Sequence, residues 1–262
     1  MPTSALHVAR TGLEAQDTRM RVIANNLANI GTTGFKRDRA NFSTLAYADA
    51  RVAGQQSSNE TAYAIGLNLG TGVGIQSTTR IETQGSLQTT GNSLDMALDG
   101  NGYFQVQMPG GQIGYTRAGN FSRSAEGQLV TSQGYPVMPA LTIPEDATSI
   151  AVANDGTVSV QTAGNAAPTE LGQITIASFT NPAGLQPSSD NFMLETGASG
   201  PAQIGVAGEG GRGHVRQGML EGSNVNVVEE LVDMIECQRA YEINSKMISS
   251  VDEMLRNANQ TL

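Results

Sequence analysis

Two histidines and one cysteine are the side chains of this sequence most suited to nucleophilic or acid–base work. His7 lies near the start, His214 sits in Arg212-Gly213-His214-Val215-Arg216, and Cys237 stands far from both. A catalytic cysteine needs a histidine base, and a zinc site needs several His, Cys or carboxylate ligands at fixed spacing. Neither pattern occurs. The histidines are read as surface or interhelical residues, and Cys237 as a small buried hydrophobe. One cysteine also excludes an intrachain disulfide. Gly208-Glu209-Gly210-Gly211-Arg212-Gly213 matches the glycine pattern of a dinucleotide loop, which requires a strand before it and a helix after it. Here the following residues, His214–Leu220, read as extended, so a loop is expected. Asp99-Gly100-Asn101-Gly102 lacks the ligand series of a calcium loop and reads as a tight turn. No catalytic, cofactor-binding or metal site is expected, and no cofactor; the sequence does not read as an enzyme.

The bulk composition agrees. The chain has 262 residues, 15 Lys+Arg against 24 Asp+Glu, a net charge of −9, 31 glycines and no tryptophan. A nucleic-acid binder needs basic residues facing phosphates, so that class is excluded; Lys36-Arg37-Asp38-Arg39 is too short a basic run to reverse it. The N-terminus has neither the basic leader nor the apolar core of a Sec signal, and no run is long and apolar enough to span a membrane. On these grounds alone the expectation is cytoplasmic.

Both ends carry a heptad. Leu6, Leu13, Met20 and Leu27 are seven apart, with Ala9, Gln16, Ile23 and Ile30 three residues on, which places an apolar stripe on one helix face. The helix should stop in Asn29–Gly34. Near the other end Val227, Met234, Tyr241, Ile248 and Leu255 repeat the spacing, flanked by Cys237 and Val251. Ser223 or Asn224 can cap this helix, and Glu229, Glu230 and Asp233 suit its positive end. Residues 1–39 are net +3 and residues 224–262 net −4, which favours pairing of the two helices with each other or across subunits.

The centre has the period of a sheet. Tyr103–Met108 and Ile113–Thr116 flank Pro109-Gly110-Gly111 and read as a hairpin; Thr148–Ala153 and Thr157–Val160 flank Asn154-Asp155-Gly156 in the same way. Ile174–Phe179 and Phe192–Thr196 add strands, giving a compact antiparallel β domain. Residues 46–75 fit neither pattern. Their alternating apolar residues, Tyr63, Ile65, Leu67 and Leu69, suit an extended arm, although taken alone the segment leans to disorder. The reading is α+β: an N-terminal helix and turn over residues 1–35, an extended arm over 36–75, a β-rich domain over 76–222, and a C-terminal helix over 223–262.

Ala24-Asn25-Asn26-Leu27-Ala28-Asn29-Ile30-Gly31-Thr32-Thr33-Gly34-Phe35-Lys36-Arg37 closes the first helix and resembles the signature of the bacterial flagellar rod and hook axial proteins. Ser223–Ile235 and Gln238–Lys246 are similar to the family's C-terminal half, and Asp99–Val106 and Tyr115–Phe121 to its central β motifs. The match runs over essentially the whole chain. Two departures are mild: Gly31 stands where many relatives have a small polar residue, and Leu6-His7 where an aromatic is common.

The resemblance implies that the terminal helices pair as a coiled-coil inner domain lining a channel, with the β domain outside. Asn25, Asn26, Leu27, Ala28, Asn29, Gly34 and Phe35 are then an assembly motif. Leu6, Leu13, Met20, Ile23, Val227, Met234, Tyr241, Ile248 and Leu255 are axial stripes, and Tyr63, Ile65, Leu67 and Leu69 an inter-subunit arm. Length and an intact 46–75 segment are most similar to distal-rod members: a structural subunit polymerising into a rigid hollow shaft that transmits motor torque to the hook and serves as an export channel. Implied partners are further copies in a helical tube, proximal rod proteins, the hook protein, the P-ring and L-ring bushings, the rod cap and the flagellar type III export apparatus. The location implied is the basal-body rod crossing the periplasm, reached without a cleaved signal peptide, in place of the cytoplasm. A proximal rod or short hook protein is the sibling alternative; a β-rich enzyme and a surface adhesin are the more distant ones.

Overall fold

The computed structural model describes residues 2–51, 65–163 and 167–260. They divide into two compact units. A helical unit comprises Met1–Ala28, Asp38–Thr79 and Asn226–Leu262; a β unit comprises Asn29–Arg37 and Arg80–Val225. The turn after the first helix, with Lys36 and Arg37, therefore belongs with the β unit, while Asp38 and Arg39 of the same charged run belong with the helical unit.

In the helical unit, helix α1 (Pro2–Ala28) ends at the edge of the expected stop, and helix α2 (Val227–Gln260) runs without Gly or Pro. Their contacts pair Asn26 with Glu230, Arg19 with Asp233 and Gln16 with Cys237. One number falls as the other rises, so the helices are antiparallel. The opposite charges of the ends are realised at Arg19 Nη2, 2.8 Å from Asp233 Oδ1. Both side chains remain partly exposed, at 35% and 43%, so this pair contributes about 0–1 kcal/mol. The cap of α2 is neither Ser223 nor Asn224: the Asn226 carboxamide oxygen accepts the Val228 N–H at 3.1 Å, the bond an N-cap makes. Asn224 is engaged elsewhere, as described below.

Helix α1 buries Ala9, Ala15 and Ile23, with Leu6, Leu13, Met20 and Leu27 half-buried beside them. Helix α2 buries Glu230, Cys237 and Val251. The seven-spaced row of the sequence lies to one side of that line, roughly 20–80° round the helix at 3.6 residues per turn. Met234, Ile248 and Leu255 are accordingly half-buried, while Val227 and Tyr241 are exposed. In the arm, where the sequence of residues 46–75 leans to disorder, described residues on both sides of 52–64 form ladders. Asp38–Thr44 pairs with Val73–Arg80, and Tyr47–Arg51 pairs antiparallel with Leu67–Gly70, Ala48 opposite Leu69. Tyr63 lies outside the described residues.

The β unit is built on a seven-stranded sheet whose middle is the expected hairpin, Tyr103–Gln107 against Ile113–Thr116, with Thr175–Ser178 on its other flank. Successive residues of a strand face opposite ways, and the centre strand uses this to divide two cores. Phe104 packs with Phe121, Leu98, Val137, Val160 and Ile176; Tyr103 packs with Tyr115, Phe179, Leu185 and Met193. Edge-to-face aromatic pairs fix both: Phe104–Phe121 at 5.1 Å and Tyr115–Phe179 at 4.8 Å between centroids. The second expected hairpin, Ala147–Val152 with Thr157–Thr162, joins Thr169–Gln173 in a three-stranded sheet. Three short pairs complete the described part of the unit: Ser122–Arg123 with Leu129–Val130, Met96–Asp99 with His214–Gln217, and Leu87–Thr89 with Met219–Glu221. The glycine-rich 208–213 stretch turns directly between strands Gln203–Val206 and His214–Gln217, with no helix after it.

Candidate functional site

The residues expected to form an assembly motif divide between the two units. In the helical unit Asn26 is 2% exposed and its carboxamide closes the end of α1. Its oxygen accepts the Asp38 N–H at 2.9 Å, its Nδ2 donates to the Asp38 carbonyl at 2.9 Å, and the same nitrogen lies 3.2 and 3.3 Å from the Glu230 carboxylate oxygens. An amide suits this place because it presents a donor and an acceptor at once. Leu27 is half-buried, and Asn25 and Ala28 are exposed.

In the β unit Asn29 begins a turn, its carbonyl accepting the Thr32 N–H at 3.1 Å. Gly34 follows at φ +67°, the left-handed region, and a Cβ there would stand 2.6 Å from the Arg117 carbonyl carbon. Glycine is thus required twice over, by dihedral and by contact. Its N–H donates to the Glu221 carbonyl at 2.8 Å. Phe35, beside it, is 6% exposed.

The next residue begins a feature that sequence reasoning missed. Lys36 is buried, and its Nζ donates to Glu221 Oε1 at 2.5 Å and to the Thr83 carbonyl at 2.7 Å. Glu221, wholly buried, also accepts the Gly85 N–H at 3.0 Å and Arg117 Nη1 at 3.2 Å. Arg117 lies over the Tyr103 ring, 5.4 Å from its centroid, and the Tyr103 hydroxyl donates to Glu82 at 2.8 Å. Two cations and two carboxylates therefore share one interior, which cancels charge where an isolated ion is very costly. Burial lowers the Lys36 pKa from its ordinary value, opposed by the attraction of Glu221; burial raises that of Tyr103, reinforced by Glu82. Among the described residues, Arg117 Nε and Glu82 Oε1 are buried atoms with no hydrogen-bond partner.

Asn224 ties the same region from the C-terminal side. Its oxygen accepts the Arg37 N–H at 2.7 Å, and its Nδ2 donates to the Ile81 and Thr83 carbonyls at 2.8 and 3.0 Å. The sequence offered Lys36 only as part of a charged run. Glu221 lies 185 residues away, and an ion pair at that separation has no periodicity by which to be read.

Of the arm residues described, Ile65 is 82% exposed, and Leu67 and Leu69 are exposed on the strand opposite Tyr47–Arg51. A cleft of about 400 Å³ in the β unit is lined by hydroxyls, amides and Phe192. Its rim holds Asp190 and Asn191, both at positive φ, and Asn191 Nδ2 donates to the Thr33 carbonyl at 3.0 Å. His7 and His214 are exposed on their separate elements. Cys237 is buried, its Sγ–H donating to the Gln16 carbonyl at 3.1 Å, and burial raises its pKa. Among the described residues no cluster of three or more His, Cys, Asp or Glu is arranged to hold a metal ion. The polar machinery present holds segments together.

Comparison with known proteins gives the same reading along the chain. The family described as flagella basal body rod protein matches residues 6–36, the flagellar hook protein FlgE/F/G D1 domain matches 97–160, and the flagellar basal body rod FlgEFG protein C-terminal region matches 216–261. The chain is 50% identical to the flagellar basal-body rod protein FlgG of Buchnera aphidicola subsp. Acyrthosiphon pisum, over 98% of both chains. The chain belongs to the flagellar basal-body rod protein family. It is a structural subunit of the basal-body rod and not an enzyme. Within one bacterium, Caulobacter vibrioides, it is 45% identical to FlgG over 98% of both chains, and 34% identical to FlgF over 99% of this chain and 98% of that one. The rod-protein match at 6–36 ends on Lys36, and the C-terminal match at 216–261 contains Glu221. Both partners of the buried ion pair thus lie inside family-matched segments.

Proposed function

We propose that this chain is a subunit of the distal part of the rod. It polymerises through its terminal helices, paired as a coiled-coil inner domain around a channel, into a stiff hollow shaft that carries torque to the hook. The observation that carries this is the outer face of α2. One face packs on α1, yet Val228, Leu231, Val232, Ile235, Ile243 and Met247 are all exposed. Several large apolar side chains along one helix mark a surface that a partner covers. The greater identity to FlgG than to FlgF in Caulobacter vibrioides favours the branch that the length and the 46–75 segment resemble. In this reading the axial neighbours are further copies, proximal rod proteins and the hook protein, with the ring bushings and rod cap around and ahead of them. The subunit reaches the periplasm through the flagellar export channel.

The test is electron microscopy of the concentrated, purified protein together with basal bodies from a strain lacking it. Straight hollow filaments, and rods truncated at their outer end that the intact gene restores, are expected. A chain that stays monomeric, with full-length rods in its absence, overturns the reading.

A further inference from the structure

The chain enters or leaves the β unit at residues 29, 37, 80 and 225. Three of these ends are tied together. The Ile81 N–H donates to the Arg37 carbonyl at 2.9 Å, the Arg37 N–H to Asn224 Oδ1 at 2.7 Å, and Asn224 Nδ2 to the Ile81 carbonyl at 2.8 Å. Just inward, Leu87–Thr89 pairs antiparallel with Met219–Glu221, and Leu87 lies opposite Glu221. The strand ends nearest residues 81 and 224 are thus the same end of this ladder. Pulling 81 and 224 apart peels it from its mouth, and the bonds of an antiparallel pair, which run across the strands, then give way one at a time. Alone, this is a weak place to apply force.

Glu221 occupies that mouth. Its side chain holds Lys36, Gly85 and Arg117, and its backbone carbonyl holds Gly34. These contacts reach three other segments of the unit, the three made by the carboxylate are charge-assisted, and all centre on the first residue of the ladder to be loaded. They have to yield together before the ladder can open. Both charged partners are buried, so neither water nor salt stands ready to replace them as the contacts stretch.

We propose that the Lys36–Glu221–Arg117 cluster is a mechanical clamp, which closes the mouth of the Leu87–Thr89/Met219–Glu221 ladder so that force arriving through the chain connections is held at the cluster and kept off the β core. Its use rests on the reading of the chain as a load-bearing rod subunit; its mechanics belong to the isolated chain.

The experiment stretches the full-length monomer by handles at its two termini and compares wild type with Lys36→Met, Glu221→Gln and Val160→Ala. Such handles load the β unit across residues 29 and 225 and so bear first on the contacts of Gly34, Lys36 and Arg37 with Glu221 and Asn224. Val160 is buried in the core strand Thr157–Thr162, away from the cluster, and serves as the control for ordinary loss of stability. The peak force for the β unit is expected to fall in both cluster variants, because Lys36→Met deletes a charge-assisted contact and Glu221→Gln removes the carboxylate that all of them share. Val160→Ala is expected to lower the melting temperature with little change in peak force. If force follows melting temperature on one line for all three variants, the clamp is wrong. Lys36→Met leaves Glu221 with Arg117 and Gly85, so it decides the matter if Glu221→Gln does not fold; an unchanged peak force in Lys36→Met also overturns the proposal. Neither result bears on whether the protein builds rods, and failure to form filaments leaves the force comparison intact.

Discussion

The Asn26 carboxamide joins two parts of the helical unit at once: its Nδ2 meets the Glu230 carboxylate at 3.2 Å while its oxygen takes the Asp38 N–H at 2.9 Å. The end of α1, the start of α2 and the strand that follows are therefore referenced to one side chain. Asn26→Ala removes a buried donor and acceptor, and is expected to destabilise the unit by about 3 kcal/mol. Asn26→Asp should be worse than alanine although it is nearly isosteric, because it sets a second carboxylate against Glu230. Urea unfolding followed by far-UV circular dichroism ranks the two; an aspartate variant as stable as wild type would refute the pairing.

Gly31 and Gly34 are three residues apart and answer to different constraints. Around Gly31 a Cβ meets nothing within 4 Å, whereas at Gly34 it meets the Arg117 backbone at 2.6 Å from a positive φ. Gly31→Ala is expected to leave stability within about 0.5 kcal/mol. Gly34→Ala combines left-handed strain with a backbone clash and should cost at least about 2 kcal/mol. The midpoint of β-unit unfolding in urea distinguishes them, and equal midpoints would contradict the geometry.

These two sites also show what the sequence made legible. The helices, the turn after α1, and both hairpins announced themselves through spacing, because period and turn chemistry are local. The direction of the stripe on α2 was less legible. Glu230, a charged residue, lies on the buried line because Asn26 accommodates it, while Val227 and Tyr241 in the apolar row face out. The cap fell to Asn226 because Asn224, an equally good capping residue, is held by Arg37 and Ile81. The ionic cluster was not legible at all. Lys36 stood out only as part of a charged run and Arg117 only within a family motif; the fold alone brings Glu221 between them.

The buried Tyr103 and Lys36 give the β unit opposite responses to alkali. The Tyr103 pKa is raised above its ordinary value of 10.0, so the stability it confers is complete below that value and is lost above it, as unfolded tyrosine ionises and folded Tyr103 does not. The Lys36 pKa is lowered from 10.5, so the folded state releases that proton first and stability from this group rises with pH until 10.5, where the rise ends. Above pH 10.5 only the tyrosine slope remains of the two. Tyr115, also raised by burial, adds to that slope. Tyr103→Phe should make the alkaline loss shallower by about 1.4 kcal/mol per pH unit. Lys36→Met should remove the rise below 10.5 and leave the alkaline limb unchanged. Urea midpoints across this range check both, and identical slopes in wild type and Tyr103→Phe would sink the assignment.

The arm allows folding and assembly to be tested apart. Leu67 and Leu69 lie on a strand paired with Tyr47–Arg51, yet both are exposed, and Ile65 just before them is more exposed still. Exposed side chains on a two-stranded ladder contribute little to the stability of a single chain, so Leu67→Asp with Leu69→Asp should shift the unfolding free energy of the monomer by no more than about 0.5 kcal/mol per site. If they pack on a neighbouring copy, the same change places two charges in an apolar contact and weakens the rod. Deletion within residues 50–68 carries the argument further: the subunit should still be exported, and the rods it builds should be shorter, easily broken or flexible. Basal bodies imaged from such strains report length and straightness directly. Normal length and stiffness in both variants would mean that the arm's apolar face has no axial partner. A monomer destabilised by several kcal/mol would place those leucines in the fold of the single chain instead of in the contact between chains.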